Sequence, residues 1–260
     1  MRVREPAVAG MFYPAGADQL RHDIAALLQN APAASGPLPK VLILPHAGYM
    51  YSGGVAATAC KLLRTHREGI RRVALFGPAH RVYLEGMAVP ATDAFATPLG
   101  TVPLDRKLID DIATLPGMSV SDHAHQDEHS LEVQLPFLQT VLDEFTLVPV
   151  VVGHAAPGQV AAIIDAVWGG PETLIVISSD LSHFLGYEQA RKFDATTCSA
   201  ILTKSSQLSG EQACGANAIN GLMQARHCQP LAVETVAICN SGDTCGDKNR
   251  VVGYGAFILH

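Results

Sequence analysis

The sequence predicts a single-domain α/β protein with a mostly parallel or mixed central sheet covered by helices. Short apolar runs bounded by proline or glycine recur along the chain, and they are rich in branched residues without apolar–polar alternation. Such runs are typical of strands that are buried on both faces. Helix-period stripes lie between them, which indicates an alternation of strands and helices. With 260 residues, of which 48% are hydrophobic, the chain can bury one large core, and residues 1–260 are expected to form one domain.

Six apolar runs predict the strands. Five of them lack alternation and are expected to be buried, whereas the sixth alternates more and is expected nearer a sheet edge. The buried strands are expected at 40–45, 71–78, 146–153, 173–179 and 251–259, and the edge strand at 231–239.

Five stripes of apolar residues spaced three or four apart predict helices. Ser52 is expected to cap the second of these helices at its N-terminus. The polar segment 203–215 is expected to join two further helices. The stripes fall within 20–28, 55–63, 108–115, 131–142 and 160–167.

Composition and missing motifs exclude several classes of function. The formal net charge of −6 and the pI of about 6.0 argue against a nucleic-acid-binding surface. No stretch approaches the ~18 apolar residues of a membrane span, and the N-terminal segment lacks a signal-peptide core, so a cytoplasmic location without a membrane partner is expected. Dinucleotide-binding, P-loop and nucleophile-elbow motifs do not occur in the sequence.

Polar residues follow the predicted buried strands at the points where they end. His46, His80 and His154 come after three different strands, and Asp180, with His183 three residues later, comes after a fourth. Ligands of open α/β sheets bind just beyond the carboxyl ends of the strands. Neutral imidazoles joined by a carboxylate or thiolate are the usual ligands of zinc, iron or copper. The pattern therefore predicts a metal site at this edge of the sheet.

A second dense polar patch precedes the helical stripe at 131–142. There His129 is surrounded by Asp127, Glu128 and Glu132. Two interpretations are open: the patch caps the following helix, or His129 is a proton donor or acceptor tuned by the carboxylates.

The six cysteines are scattered without a Cys-x-x-Cys pair, which indicates reduced thiols in a cytosol. Of the six, Cys245 lies in a polar, glycine-rich loop, between Asp243 and Asp247. This setting predicts that Cys245 is a metal ligand or a redox-sensitive thiol. The remaining five are expected to be inert: Cys60, Cys198, Cys214, Cys228 and Cys239.

Several of these motifs, taken together and in order, resemble the Memo family, whose prokaryotic members are often called AmmeMemoRadiSam system protein B. The resemblance runs from about residue 5 to the C-terminus. The motifs are VAGMFYP (8–14), PHAGYMYSG (45–53), GPAH (77–80), DEHSLEVQLPFL (127–138), SSDLSH (178–183) and the tail SGDTCGDKNRVVGYGAF (241–257).

The resemblance implies a fold like that of the class III extradiol dioxygenases, which are non-heme iron enzymes with two histidine ligands and a late glutamate. His46 and His80 match the two histidine ligands, and Cys245 matches a thiol that some Memo members place where the dioxygenases have glutamate. His183 and Asp180 match residues lining the same pocket, and His129 matches an acid/base position. A radical-SAM protein is implied as a possible partner, because such proteins are linked to the family by gene association.

The late glutamate itself is missing, because no glutamate follows Glu234. Cys245 is the closer match to the third ligand, with Asp243 or Asp247 as the alternatives. A thiolate makes copper or zinc credible beside iron and argues against catechol cleavage. The expected function is therefore a metal-binding, redox-related protein that takes a small molecule or peptide in the metal pocket. An active metal-dependent oxidoreductase, a peptide-binding module and, less favoured, a metal-assisted hydrolase are the alternatives.

Overall fold

The computed structural model describes residues 1–33, 36–244 and 246–260, and strands and helices alternate along most of the chain. The strands described are β1 (Val3–Arg4), β2 (Val41–Leu44), β3 (Arg72–Pro78), β4 (Met87–Val89), β5 (Ala94–Thr97), β6 (Gly100–Pro103), β7 (Met118–Val120), β8 (Thr146–Val152), β9 (Thr173–Ser178), β10 (His183–Leu185), β11 (Val233–Asn240) and β12 (Val251–Leu259). The α-helices described are α1 (Ala17–Asn30), α2 (Tyr49–Cys60), α3 (Arg106–Ile112), α4 (Asp122–Gln126), α5 (His129–Glu132), α6 (Leu135–Val141), α7 (Pro157–Val167), α8 (Tyr187–Leu202), α9 (Ala216–Gln224) and α10 (Ser241–Thr244). Two 3₁₀ helices cover Lys61–His66 and Arg226–Cys228.

The main sheet is mixed, and its centre is parallel. Its order is β10-β12-β2-β9-β3-β8-β4-β7, and β11 pairs with β12 outside this path. The four adjacent strands β2, β9, β3 and β8 run parallel, whereas β12 and β4 join them antiparallel on either side. A small separate sheet has the order β1-β5-β6. The predicted α/β class with a mostly parallel or mixed sheet flanked by helices is confirmed.

The six predicted strands all exist within one or two residues of their expected ends, and β11 is an edge strand as predicted. The parallel strands are buried along nearly their whole length, which is why their sequences do not alternate. Their branched residues form one continuous core with the apolar faces of the flanking helices. The segment 203–215 joins α8 to α9, as expected.

Two helix predictions were wrong in detail. Ser52 does not cap α2, because the helix already begins at Tyr49, and the Ser52 hydroxyl donates to the Ala47 carbonyl at 3.0 Å. The stripe at 131–142 forms two short helices, α5 and α6, instead of one. Pro136 lies in the first turn of α6, where its missing N–H is tolerated. In one continuous helix over 131–142 it would lie in the interior, where proline breaks the helix.

The parallel arrangement brings the ends of β2, β3, β8 and β9 to one edge of the sheet. His46 and His80 each follow their strand by two residues, and so do Asp180 and His154. The predicted convergence of these four strand ends on one edge therefore exists.

In the described ranges, no helix combines the length and apolar character that a bilayer crossing needs.

Candidate metal centre

Three histidine rings meet at the carboxyl edge of the sheet. His46, His80 and His129 each offer one ring nitrogen, and these three nitrogens lie within 4.8 Å of one another. The ring centroids are 5.2 Å apart for His46 and His80, 5.5 Å for His46 and His129, and 4.7 Å for His80 and His129. The three histidines could therefore hold one metal ion.

His46 is held on several sides by groups from other elements. Its Nδ1 lies 2.8 Å from Ser178 Oγ at the end of β9, and its backbone N–H donates to Asp180 Oδ1 at 2.8 Å. Its Nε2 lies 3.3 Å from Cys214 Sγ. Burial lowers the pKa of His46 well below its usual range, and the neighbouring His80 ring adds to this effect. His46 is therefore neutral, which is the form that binds metals.

His80 is held by a single carboxylate. Glu128 Oε2 accepts the backbone N–H of His80 at 2.6 Å, and Glu128 Oε1 lies 3.0 Å from His80 Nδ1. Burial opposes ionisation of Glu128, but the hydrogen bonds from His80 and from the Ser130 backbone outweigh it and lower its pKa to about 2. A carboxylate bound to the outer nitrogen of a histidine is the usual support of a metal ligand.

His129 differs from the other two histidines because no group holds its Nδ1. This nitrogen lies 3.4 Å from Glu128 Oε1 but makes no hydrogen bond with any described residue, although it is buried. Burial lowers the pKa of His129 to about 4. The Phe12 ring packs against it, with the centroids 4.8 Å apart.

A cavity of about 470 Å³ opens beside the histidines. His46 and His129 line it together with Asp180 and His183, so that three predicted pocket residues, Asp180, His183 and His129, share one space. Burial raises the pKa of Asp180 to about 7 and lowers the pKa of His183. A carboxyl and imidazoles with shifted pKa values in a cavity are suited to holding or moving protons.

The late loop is described only in part. Cys245 lies outside the described residues. Asp243 is engaged elsewhere, because it accepts the Tyr187 hydroxyl at 2.5 Å and the Asn240 backbone N–H at 2.9 Å. Asp247 lines the same cavity as the histidines.

His154 follows β8 but does not join the cluster. It is exposed, and its ring packs against Tyr83 with the centroids 5.4 Å apart. The sequence pattern therefore overstated the convergence: three strand ends supply His46, His80 and Asp180, whereas the histidine after the fourth strand is exposed to solvent.

The sequence reasoning missed two residues of the site. Cys214, which was expected to be inert, lies beside the cluster: its Sγ is 3.3 Å from Nε2 of His46, a contact that the sequence did not predict. Burial raises the pKa of Cys214 to about 12, so the thiol is protonated. The one sequence feature that points to the position of Cys214 is the glycine that follows it. A Cβ at Gly215 would lie 2.7 Å from the Ser178 carbonyl oxygen, so the close approach of this segment to the end of β9 requires glycine. Ser178 belongs to a predicted strand and to the SSDLSH motif, neither of which predicts its contact with His46.

The donor set fits a transition metal. Three imidazoles suit zinc, copper and iron, and the buried Nδ1 of His129, which has no partner among the described residues, is a polar atom that a proton or cation would satisfy. Fold and site together define an α/β protein with a candidate histidine metal centre at the carboxyl edge of a mixed sheet.

The chain belongs to the Memo family: the family model described as "Memo-like protein" matches residues 4–258. A "MEMO1 family protein" from Aquifex aeolicus is 37% identical over 271 residues, covering 100% of both chains. A "MEMO1 family protein" from Archaeoglobus fulgidus is 32% identical, covering 99% of both chains.

The fold is also found in a crystal structure of an uncharacterized protein, JW3007, from Escherichia coli K12. The TM-score is 0.53 at 13% identity, and the match covers 85% of this chain and 100% of that one. At this level of identity the likeness concerns the fold alone.

Proposed function

We propose that the protein binds a redox-active transition metal, iron or copper, through His46 and His80, and that zinc can replace it. The observation that supports this most strongly is the convergence of three buried or half-buried imidazoles beside a cavity. The Nδ1 of His129 is buried without a hydrogen-bond partner among the described residues, which is a cost that a purely structural site would avoid.

Cys245 is proposed as a third protein ligand, on the family resemblance. Ser241 and Asp247, on either side of it in the sequence, both line the cavity beside His46. A thiolate there would favour a softer ion than a carboxylate does.

The metal, when bound, would supply Lewis-acid or redox chemistry. The residues around it would do the rest: His129, the ring without a fixed partner, moves protons, and Asp180 and His183 hold or exchange protons at the cavity wall. The cavity has the volume for a small molecule or for one or two side chains of a peptide.

Catechol cleavage is not part of the proposal. The last glutamate of the sequence, Glu234, lies on β11, and its Oε1 pairs with His260 Nε2 at 2.9 Å. It is thus engaged away from the histidines and does not take the place of the dioxygenase carboxylate. We propose instead a redox-related role without ring cleavage.

The test is metal analysis of the full chain purified without oxygen, followed by oxygen-uptake assays with catechols. We expect about one equivalent of metal in the parent protein, its loss in His46→Ala and His80→Ala, and no ring cleavage. His154→Ala is the matched control, because this exposed histidine also follows a parallel strand. Equal metal content in all four proteins would overturn the metal site, and catechol turnover would overturn the exclusion of ring cleavage.

The role of Cys245 is tested by comparing Cys245→Ser with Cys245→Glu. If Cys245 is a ligand, serine should weaken metal binding and glutamate should restore it. Parent-like metal binding in both variants would exclude Cys245 and favour Asp247 as the third ligand.

A further inference from the structure

The tautomers of His46 and His80 can be read from the groups that contact their Nδ1 atoms. A neutral imidazole carries one proton, so a ring whose Nδ1 donates a hydrogen bond presents a lone pair on Nε2. The direction of each hydrogen bond therefore decides whether the ring is ready to bind a cation through Nε2.

Gln134 sets the first direction. Its Nε2 lies 2.9 Å from the Pro45 carbonyl oxygen, which can only accept, so the amide nitrogen must face that way. The same nitrogen lies 2.9 Å from Ser178 Oγ. The second N–H of Gln134 therefore donates to the Ser178 hydroxyl.

Ser178 has one proton, and its place is fixed. Its Oγ lies 2.6 Å from the Ser130 carbonyl oxygen, which again can only accept, so the hydroxyl donates there. Toward His46, 2.8 Å away, Ser178 can then only accept. His46 therefore carries its proton on Nδ1, and its Nε2 holds a lone pair.

This assignment also sets the direction of the contact on the other side of the His46 ring. Cys214 Sγ lies 3.3 Å from Nε2, and two groups in contact need one proton between them. Since the ring proton is on Nδ1, the Cys214 thiol is the donor. The thiol thus contacts the lone pair that a metal ion would take.

Glu128 fixes His80 in the same way. Its two oxygens accept the backbone N–H groups of His80, at 2.6 Å, and of Ser130, at 2.9 Å. The third contact is the 3.0 Å between Glu128 Oε1 and His80 Nδ1. An ionised carboxylate can only accept a hydrogen bond, so the partner in each of these contacts must donate. Nδ1 of His80 is therefore protonated and donates this hydrogen bond.

Ser130 joins the two supports. Its backbone N–H bonds Glu128 and its carbonyl bonds Ser178, while its hydroxyl donates to the Pro78 carbonyl at 2.9 Å. One fully buried residue thus contacts the supports of both rings.

We propose that Ser178 and Glu128, connected through Ser130, are positioning residues that hold His46 and His80 as Nδ1–H tautomers with both Nε2 lone pairs directed to one cation. The inference deepens the proposed function, yet the tautomers exist in the metal-free protein and can be measured there.

The first experiment reads the tautomers directly, by long-range ¹H–¹⁵N correlation of the ¹⁵N-histidine-labelled, metal-free full chain. Signals are assigned with His46→Gln and His80→Gln. We expect protonated Nδ1 and unprotonated Nε2 in both rings. A protonated Nε2 in either ring overturns the proposal.

The second experiment compares Ser178→Ala with Ser179→Ala. Ser179 is the matched control: it is an equally buried hydroxyl one residue further, and it bonds the Asp180 carbonyl and the Gly215 N–H instead of a histidine. Ser178→Ala should leave His46 as a mixture of tautomers and weaken Zn²⁺ binding by roughly 10–100-fold, as for other supports of ligands. Ser179→Ala should leave the tautomer unchanged.

An unchanged His46 tautomer in folded Ser178→Ala overturns the proposal. If Ser178→Ala does not fold, the tautomers of the parent protein decide. A parent protein in which His46 and His80 are both Nδ1–H tautomers but which takes up no Zn²⁺ supports the tautomer assignment and contradicts the proposed metal site. The two failures are therefore distinguishable.

Discussion

Glu128 and Glu132 are buried carboxylates four residues apart, yet they serve different regions of the molecule. Glu132 holds the N-terminal segment: it pairs with the Arg4 guanidinium, and its two oxygens accept the backbone N–H groups of Ala7, at 2.7 Å, and Val8, at 3.0 Å. The Tyr13 hydroxyl also donates to it. All of these partners belong to the N-terminal segment, and none of them is His46, His80 or His129.

Glu128, the N-cap residue of α5, instead contacts the histidine cluster. Two of its three hydrogen bonds go to His80, and the third caps the helix at Ser130. Two similar buried carboxylates thus differ in their partners: Glu132 holds the N-terminal segment, whereas Glu128 holds the ring of His80. We therefore expect substitutions at Glu132 to change stability and substitutions at Glu128 to change metal affinity.

The largest effect is expected for Glu132→Gln. The substitution leaves the Arg4 guanidinium buried without its counter-charge, which costs about 3–5 kcal/mol in comparable pairs. The free energy of unfolding in urea should fall by that amount. The double variant Arg4→Met/Glu132→Gln should recover part of the loss, because neither charge of this pair is left. Equal losses in the single and double variants would show that the ion pair is not the cause.

Gly77→Ala should affect both regions, with a smaller loss of stability. A Cβ at Gly77 would lie 2.7 Å from Ser130 Oγ and 2.9 Å from Leu131 Cδ2, so α5 must shift. Overpacking of this kind costs about 1–3 kcal/mol. Because Ser130 connects the supports of both rings, Zn²⁺ affinity should fall as well. Gly54→Ala is the control, since nothing lies within 4 Å of its Cβ position. Parent-like stability of Gly77→Ala would contradict the close packing of Ser130 on β3.

Glu128→Gln should lower Zn²⁺ affinity by roughly 10–100-fold through loss of the His80 support. The loss of unfolding free energy should be well below that of Glu132→Gln, since no buried cation is left unpaired. Calorimetric titration with Zn²⁺ and urea unfolding measure the two effects side by side. A large loss of stability with unchanged affinity would reverse the roles assigned to the two carboxylates.

The smallest effect is expected for Cys214→Ala. It removes a weak thiol hydrogen bond to the lone pair of His46, worth up to about 1 kcal/mol, so Zn²⁺ should bind a few-fold more tightly. Cys228→Ala, at a buried thiol away from the cluster, is the control. A tenfold loss of affinity in Cys214→Ala would mean that the thiol is a ligand rather than a competitor of the metal.

The central strands and the positions of His46 and His80 could be predicted, because a buried parallel strand has a distinct composition and the residues after it meet at one edge. The side chains that contact these rings could not be predicted. Ser178 belongs to an ordinary apolar run, and Cys214 reaches the site from the long segment between α8 and α9, for which no periodicity predicts a position. The exposure of His154 was equally hidden, because the sequence places a residue at an edge but does not set the direction of its side chain.

The central claim, that His46 and His80 bind one metal ion through their Nε2 atoms, is tested most directly by X-ray absorption spectroscopy of the Zn²⁺-loaded full chain. We predict a nitrogen shell at ~2.0–2.1 Å with multiple scattering from at least two imidazoles. His46→Ala and His80→Ala should each lose the bound Zn²⁺ or, where excess Zn²⁺ still binds, lose one imidazole contribution. A spectrum of the parent protein with oxygen ligands alone, or with imidazole scattering unchanged in both variants, would contradict the claim.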